Sequence, residues 1–112
     1  MENSEIVEAL SGVFYIATAD EDQPHVRPFD KAAEVEGSVY IGTNKTKKVF
    51  SQISENPKVE IFAMSDFGVT RFTAEAFNEE NEEKARAAFE KMGKSFEAGT
   101  SAALRLEKIK KA

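Results

Sequence analysis

Cysteine is absent from this sequence and histidine occurs once, as His25. Without thiols there are no disulfides, no thiolate nucleophile and no cysteine-based metal site, and one imidazole supplies too few ligands for structural zinc. No metal ligand set is therefore assigned. Tryptophan is missing too, which leaves nine Phe and two Tyr to supply the aromatic bulk of a core. No apolar run approaches the roughly 20 residues of a membrane-spanning helix. The amino-terminal MENSEIVEAL is acidic and lacks the basic start and apolar middle of an export signal, so the expected location is the cytoplasm. Positive charge is in deficit, with 15 Lys and Arg against 20 Asp and Glu and a net charge of −5. A nucleic-acid binder draws its affinity from the opposite balance. There is no Ser-His-Asp set, and His25 beside Pro24 reads as a strand or loop histidine rather than an acid or base, so no catalytic residue is assigned.

What remains is an ordinary globular composition, 41% hydrophobic and 31% charged over 112 residues, expected to form a single domain from 1 to 112. Ser4 precedes EIVEAL, where Ile6, Val7 and Leu10 fall at helical spacing, and Gly12 supplies a stop. VFYIATA reads as a strand, DEDQP as a turn, and HVRPF as an extended return. Pro24 and Pro28 keep that return out of a helix and mark it as a sheet edge or a bulge. AAEV, a turn at Glu36-Gly37-Ser38 and VYIGT lead to a third strand ending at Thr43. Thr46 is the expected N-cap of a helix with Val49, Phe50 and Ile53 on one face, closed by Asn56-Pro57.

VEIFAM and VTRFTAEAF follow as strands around an Asp66-Phe67-Gly68 turn. Asn78 then caps a longer helix whose Ala85, Ala88, Phe89 and Met92 form an apolar stripe, with Gly93 behind it. Its glutamate run is a solvated, dipole-favourable face rather than a metal site. SAALRLEKIKKA reads as a final strand. Five to six strands with local hairpins, a short helix after the third strand and a longer late helix describe a small, mainly β antiparallel barrel with appended helices.

The chemistry concentrates between His25 and Phe50. Lys45, Lys47 and Lys48 stand beside Thr43, Asn44 and Thr46 at a helix start, where unpaired backbone N–H groups already favour negative charge. Arg27, one strand upstream, carries the side chain suited to bidentate phosphate contact. Neighbouring strands that bring Arg27 to the NKTKK turn would create an anion site.

With these residues in view, FYIATADEDQPHVRPF followed by EGSVYIGTNKTKKVFSQISENPKVEIFA resembles the FMN-binding split-barrel proteins of the pyridoxamine 5′-phosphate oxidase-like family. The resemblance runs from about Gly12 to Ala76 in the order and spacing of its motifs. It implies a split β-barrel and a homodimer that holds FMN at the interface. It further implies phosphate contacts from Arg27, Thr46 and one or more of Lys45, Lys47 and Lys48, with Lys47 favoured. Pro28, Phe29 and Asp30 would lie along the isoalloxazine edge, and Thr43 and Asn44 under the ribityl chain or ring.

The expected function is a flavin-dependent oxidoreductase acting on a small substrate. The alternatives are a non-catalytic module that binds FMN or another anion for storage or electron transfer, and an interaction domain that has lost its ligand.

Overall fold

Alternation in VFYIATAD sends Phe14, Ile16 and Thr18 to one face of a strand and Val13, Tyr15 and Ala17 to the other, and this split organises the sheet. In the computed structural model, which describes residues 2–65 and 68–112, the strand is β1 (Val13–Asp20). It lies between β2 (Gln23–Asp30) and β5 (Lys58–Ser65). With β3 (Ala32–Val35), β4 (Ser38–Asn44), β6 (Gly68–Asn78) and β7 (Ser101–Lys111) they form one sheet in the order β2-β1-β5-β6-β7-β4-β3. Every described pairing is antiparallel. Among the described residues three helices accompany it, α1 (Asn3–Ala9), α2 (Lys48–Glu55) and α3 (Glu82–Lys91).

Seven strands thus stand where five to six were expected, and α2 follows the fourth strand rather than the third. The cause is Lys31, whose φ of +63° puts it in the left-handed region and breaks HVRPFDKAAEV into β2 and β3. These two strands occupy opposite ends of the strand order. In a flat sheet seven strands wide the two edges would lie roughly 29 Å apart, yet one residue joins Asp30 to Ala32, a reach of about 7 Å. The sheet must therefore curl until its edges meet at Lys31. Among the described residues no pairing joins β2 to β3, so the expected barrel is an open, curled sheet. Pro24 and Pro28, which have no N–H to donate across a ladder, lie in the edge strand β2 as expected.

The helix starts differ from expectation in detail. α1 begins ahead of Ser4, and the Glu2 N–H donates to Glu5 Oε1 at 3.3 Å. The N-cap of α2 is Lys47, not Thr46, because the Thr46 hydroxyl and N–H both donate to Asn44 Oδ1, at 2.7 and 2.9 Å. Asn78 does not cap α3. Its pairing with Leu104 keeps it in β6, and Asn81 takes the cap by accepting from the Lys84 N–H at 3.2 Å. The turn expected at Asp66-Phe67 lies outside the described residues.

The concave face carries the main core, with Phe14, Ile16, Ile41, Ile61, Phe72 and Leu104 fully buried under Ile6 and Leu10 of the amino-terminal segment and Val49 and Ile53 of α2. α3 packs Ala85, Ala88, Phe89 and Met92 on the convex face of β3, β4 and β7, around Tyr40 and Ala103. A Cβ at Gly42 would come within 3.3 Å of both Phe89 and Met92, so glycine there lets α3 close on β4. The convex face of β2, β1, β5 and β6 has no such cover among the described residues, and Val13, Tyr15, Val26, Met64 and Val69 stand exposed on it. No described helix is long and apolar enough to cross a membrane.

Candidate functional site

Register places the Arg27 side chain. Arg27 pairs with Ile16, and Phe29 with Phe14, so both project to the concave face while Val26 and Pro28 project outward. Phe29 stacks on Phe14, with ring centroids 6.1 Å apart, and fixes the end of β2. The Arg27 guanidinium then meets two neutral oxygens. Nη1 donates to Thr18 Oγ1 at 2.7 Å and Nη2 to Gln52 Oε1 at 2.6 Å, while the Thr18 hydroxyl donates to the same Gln52 oxygen at 2.8 Å. Thr18 and Gln52 are buried, at 3% and 8% exposure.

This trio ties β2 to β1 and α2 and leaves the charge of Arg27 uncompensated. Among the described residues Arg27 forms no ion pair, whereas Arg86 pairs with Glu82 and Arg105 with Glu79 and Glu107. Burial alone lowers the Arg27 pKa, a change with no consequence for a guanidinium at neutral pH. In the described hydrogen bonds it uses two of its five donors.

Arg27 opens on a cavity of about 120 Å³ between the edge strand β2, the end of β4 and the start of α2, lined also by Pro28, Phe29, Asp30, Gly42, Thr43, Lys47, Val49 and Lys94. The structure therefore brings together Arg27, Pro28, Phe29, Asp30, Thr43 and Lys47. Asn44, Lys45, Thr46 and Lys48 are not part of the lining. Asn44 and Thr46 bond each other, and Lys45 faces a separate acidic cavity beside Glu79, Glu80 and Glu82. Lys47 extends from the N-cap of α2, a position without a side-chain cap.

Three residues of this corner went unread in the sequence. Thr18 continues the inward period of Phe14 and Ile16, and Gln52 lies beside Val49 and Ile53 on the buried face of α2. A polar residue at each of those positions was the available signal. Lys94 arrives from the end of α3, and its Nζ donates to Asp30 Oδ1 at 2.7 Å and to the Asp30 carbonyl at 3.1 Å. That hydrogen bond, then the charge of Lys94, hold the Asp30 carboxyl below its usual pKa. Three cations and one carboxylate thus line the cavity in a chain of net charge −5.

A larger hollow of about 400 Å³ lies on the convex face around Ala17, Glu60, Glu75 and Lys110. It mixes both signs of charge on an open surface. The Arg27 cavity is smaller but convergent in charge, and its chemistry is the more specific.

Antiparallel strands, a short helix at the end of β4 and a cationic corner between them define a recognisable class. Residues 3–110 match the family model described as pyridoxamine 5′-phosphate oxidase, and the chain belongs to that family. More particularly, it is 40% identical to a NimC/NimA family protein from Clostridium acetobutylicum, with a TM-score of 0.82 over 92% of this chain and 76% of that one. It shares its fold with a FAD-binding protein from Mesorhizobium loti, at a TM-score of 0.67, 16% identity and coverage of 97% and 92%. HutZ, the heme storage protein from Vibrio cholerae, has the same fold at a TM-score of 0.68, 20% identity and coverage of 96% and 90%. A search of curated proteins finds no match.

Proposed function

We propose that this protein is an FMN-binding flavoprotein, a cytoplasmic homodimer that acts as an oxidoreductase on a small substrate. In this reading the open, curled sheet is a split barrel and the cofactor's phosphate lies against Arg27 and Lys47. The observation that carries it is the Arg27 guanidinium, held by two neutral oxygens and lacking a carboxylate partner among the described residues. A partly desolvated cation in that state gains from an incoming anion through short, charge-assisted bonds.

The fit is one of parts. A cavity of about 120 Å³ takes a phosphate group, but it falls short of the roughly 300–1,000 Å³ that encloses a drug-sized ligand. The flavin rings would extend along the free edge of β2, beside Pro28, Phe29 and Asp30, with Thr43 near the ribityl chain. Asn44, Lys45, Thr46 and Lys48 have less to offer, since they lie outside the lining. Bound FMN supplies hydride and electron chemistry at its own ring. The chain's part is to anchor the phosphate, orient the ring and set the charge around it.

A second copy would complete the groove. Exposed Val13, Tyr15, Val26, Met64 and Val69 share the convex face of β2, β1, β5 and β6. A group of exposed apolar side chains of that kind marks an interaction surface, and its border strand β2 is the strand that carries Arg27 and Asp30. The FAD-binding neighbour supports a flavin. The heme storage neighbour raises haem as a competitor, but the single histidine, His25, lies 3.9 Å from Asp20 at the far end of β2 and does not line the cavity.

Titration of the purified protein with FMN, followed by visible absorbance and flavin fluorescence, tests the reading, with haem as a parallel ligand. Micromolar FMN binding that Arg27→Ala weakens is the expected result. No FMN binding would leave the interaction-domain alternative standing. Mixing the loaded protein with a nicotinamide donor separates enzyme from carrier, since only an enzyme reduces its flavin in repeated turnovers.

A further inference from the structure

The carboxy-terminal end of α3 delivers Lys94 to the cavity through a defined stop. Gly93 adopts φ +71°, its N–H donates to the Glu90 carbonyl at 3.0 Å, and the Lys94 N–H donates to the Phe89 carbonyl at 2.9 Å. This pair of bonds is the Schellman arrangement, which satisfies the last helix carbonyls and fixes the direction of the next residue. The Lys94 backbone is thereby set, and its ammonium is set in turn by the two oxygens of Asp30. An ammonium has three N–H donors, and these two bonds leave one over. The Lys94 side chain is 29% exposed and lines the same cavity as Arg27 and Lys47.

We propose that Lys94 is a third anion-contacting cation of this groove and that Asp30 is its positioning residue, which at the same time limits the charge the groove presents. The inference rests on the anion-site reading above and adds to it a residue from a different part of the chain. With Asp30 ionised, the lining carries Arg27, Lys47 and Lys94 against one carboxylate, a net of two positive charges that balances a phosphate dianion. Removing the carboxylate should overcharge the groove, and removing Lys94 should leave Asp30 facing the incoming anion.

The two substitutions that break this ion pair therefore act in opposite directions on anion binding. Lys94→Met should weaken FMN binding by about tenfold or more, the range for a lost hydrogen bond to a charged group. Asp30→Asn, which keeps an acceptor for Lys94, should tighten FMN binding and steepen its dependence on salt. Lys94→Met should not move riboflavin, which has no phosphate, by a comparable factor.

A purely structural pair gives a different pattern, with both variants losing thermal stability and changing FMN and riboflavin binding in the same sense. That outcome, or wild-type FMN affinity in Lys94→Met while Arg27→Ala loses the ligand, overturns the role of Lys94 and spares the site. Failure of the wild-type protein to bind FMN, or of Arg27→Ala to weaken it, overturns the site and this inference together.

Discussion

Replacing Arg27 by methionine should separate stability from function. The guanidinium makes two hydrogen bonds to neutral oxygens, each worth about 1 kcal/mol net and up to about 3 kcal/mol where one partner is charged. Against that stands the cost of holding a partly buried cation with no counter-charge, which removal of the charge recovers. Arg27→Met also strands nothing, since Thr18 and Gln52 keep their mutual bond at 2.8 Å, and the methionine chain replaces the apolar stem. These terms nearly cancel. Urea denaturation of the ligand-free variant should give a stability within about 1 kcal/mol of the parent, a balance between the terms just named. FMN affinity should fall by about 1.5–3 kcal/mol, or roughly tenfold to a hundredfold, for loss of a charge-assisted phosphate contact. The opposite pattern, a large loss of stability with FMN affinity unchanged, would show that Arg27 is there to hold β2 on α2 and would refute the anion site.

Further outcomes follow from other parts of the fold. Val26 and Met64 are 69% and 67% exposed on the convex face. In the proposed homodimer the double change Val26→Glu with Met64→Glu should therefore leave the chain folded by circular dichroism and give a monomer mass in sedimentation where the parent gives a dimer mass. A parent of monomer mass would refute the dimer, and a dimeric variant would place its interface elsewhere. Tyr40 donates to Glu79 Oε1 at 2.7 Å, and burial, then that bond, push its pKa up to about 12. A raised folded pKa stabilises the protein below the unfolded value near 10 and loses that contribution as pH climbs toward 12. In Tyr15→Phe, which leaves Tyr40 the only tyrosine, phenolate absorbance should rise about 2 pH units late, together with unfolding, and an ordinary tyrosine titration would contradict the network. Gly93→Ala forces a side chain into φ +71° and should cost about 1 kcal/mol or more, visible as a lower Tm.

Much of the fold was legible because hydrophobic period follows burial. Phe14 and Ile16, Val49 and Ile53, and Ala85, Ala88 and Phe89 all fall on the buried faces that their spacing implies. The break at Lys31 was not legible, since a lysine in the left-handed region has no local signature and is held there by where β2 and β3 must go. The cap at Asn78 failed for a related reason: a ladder partner, Leu104, outweighed the local preference of asparagine for a helix start. In the site, Arg27 and the lysine turn could be named from residue type and strand order, and Lys47 is singled out within that turn only by the family resemblance. The turn lysines could not be ranked by geometry, because which of them faces inward depends on a helix starting one residue later than Thr46 implies. Lys94 lay beyond reach altogether, since only the packing of α3 on β4 carries its position to Asp30.

The charge balance of the whole chain gives the Arg27 corner its meaning. Among 20 acidic residues an arginine readily finds a carboxylate, and Arg105 finds two. Arg71 lies instead over the Phe62 ring, at 5.5 Å. Arg27 alone among the described arginines is anchored by neutral acceptors buried on two neighbouring elements, Thr18 of β1 and Gln52 of α2. Neutral anchoring fixes the direction of a guanidinium without spending its charge, whereas a carboxylate in either position would do both. The corner also sits where the sheet stops: among the described residues β2 has a partner on one side only, and the curl set by Lys31 brings that free edge up to β4 and α2. A groove at a sheet's unclosed edge, with the Arg27 charge held but not neutralised, is the arrangement that an anionic ligand would complete.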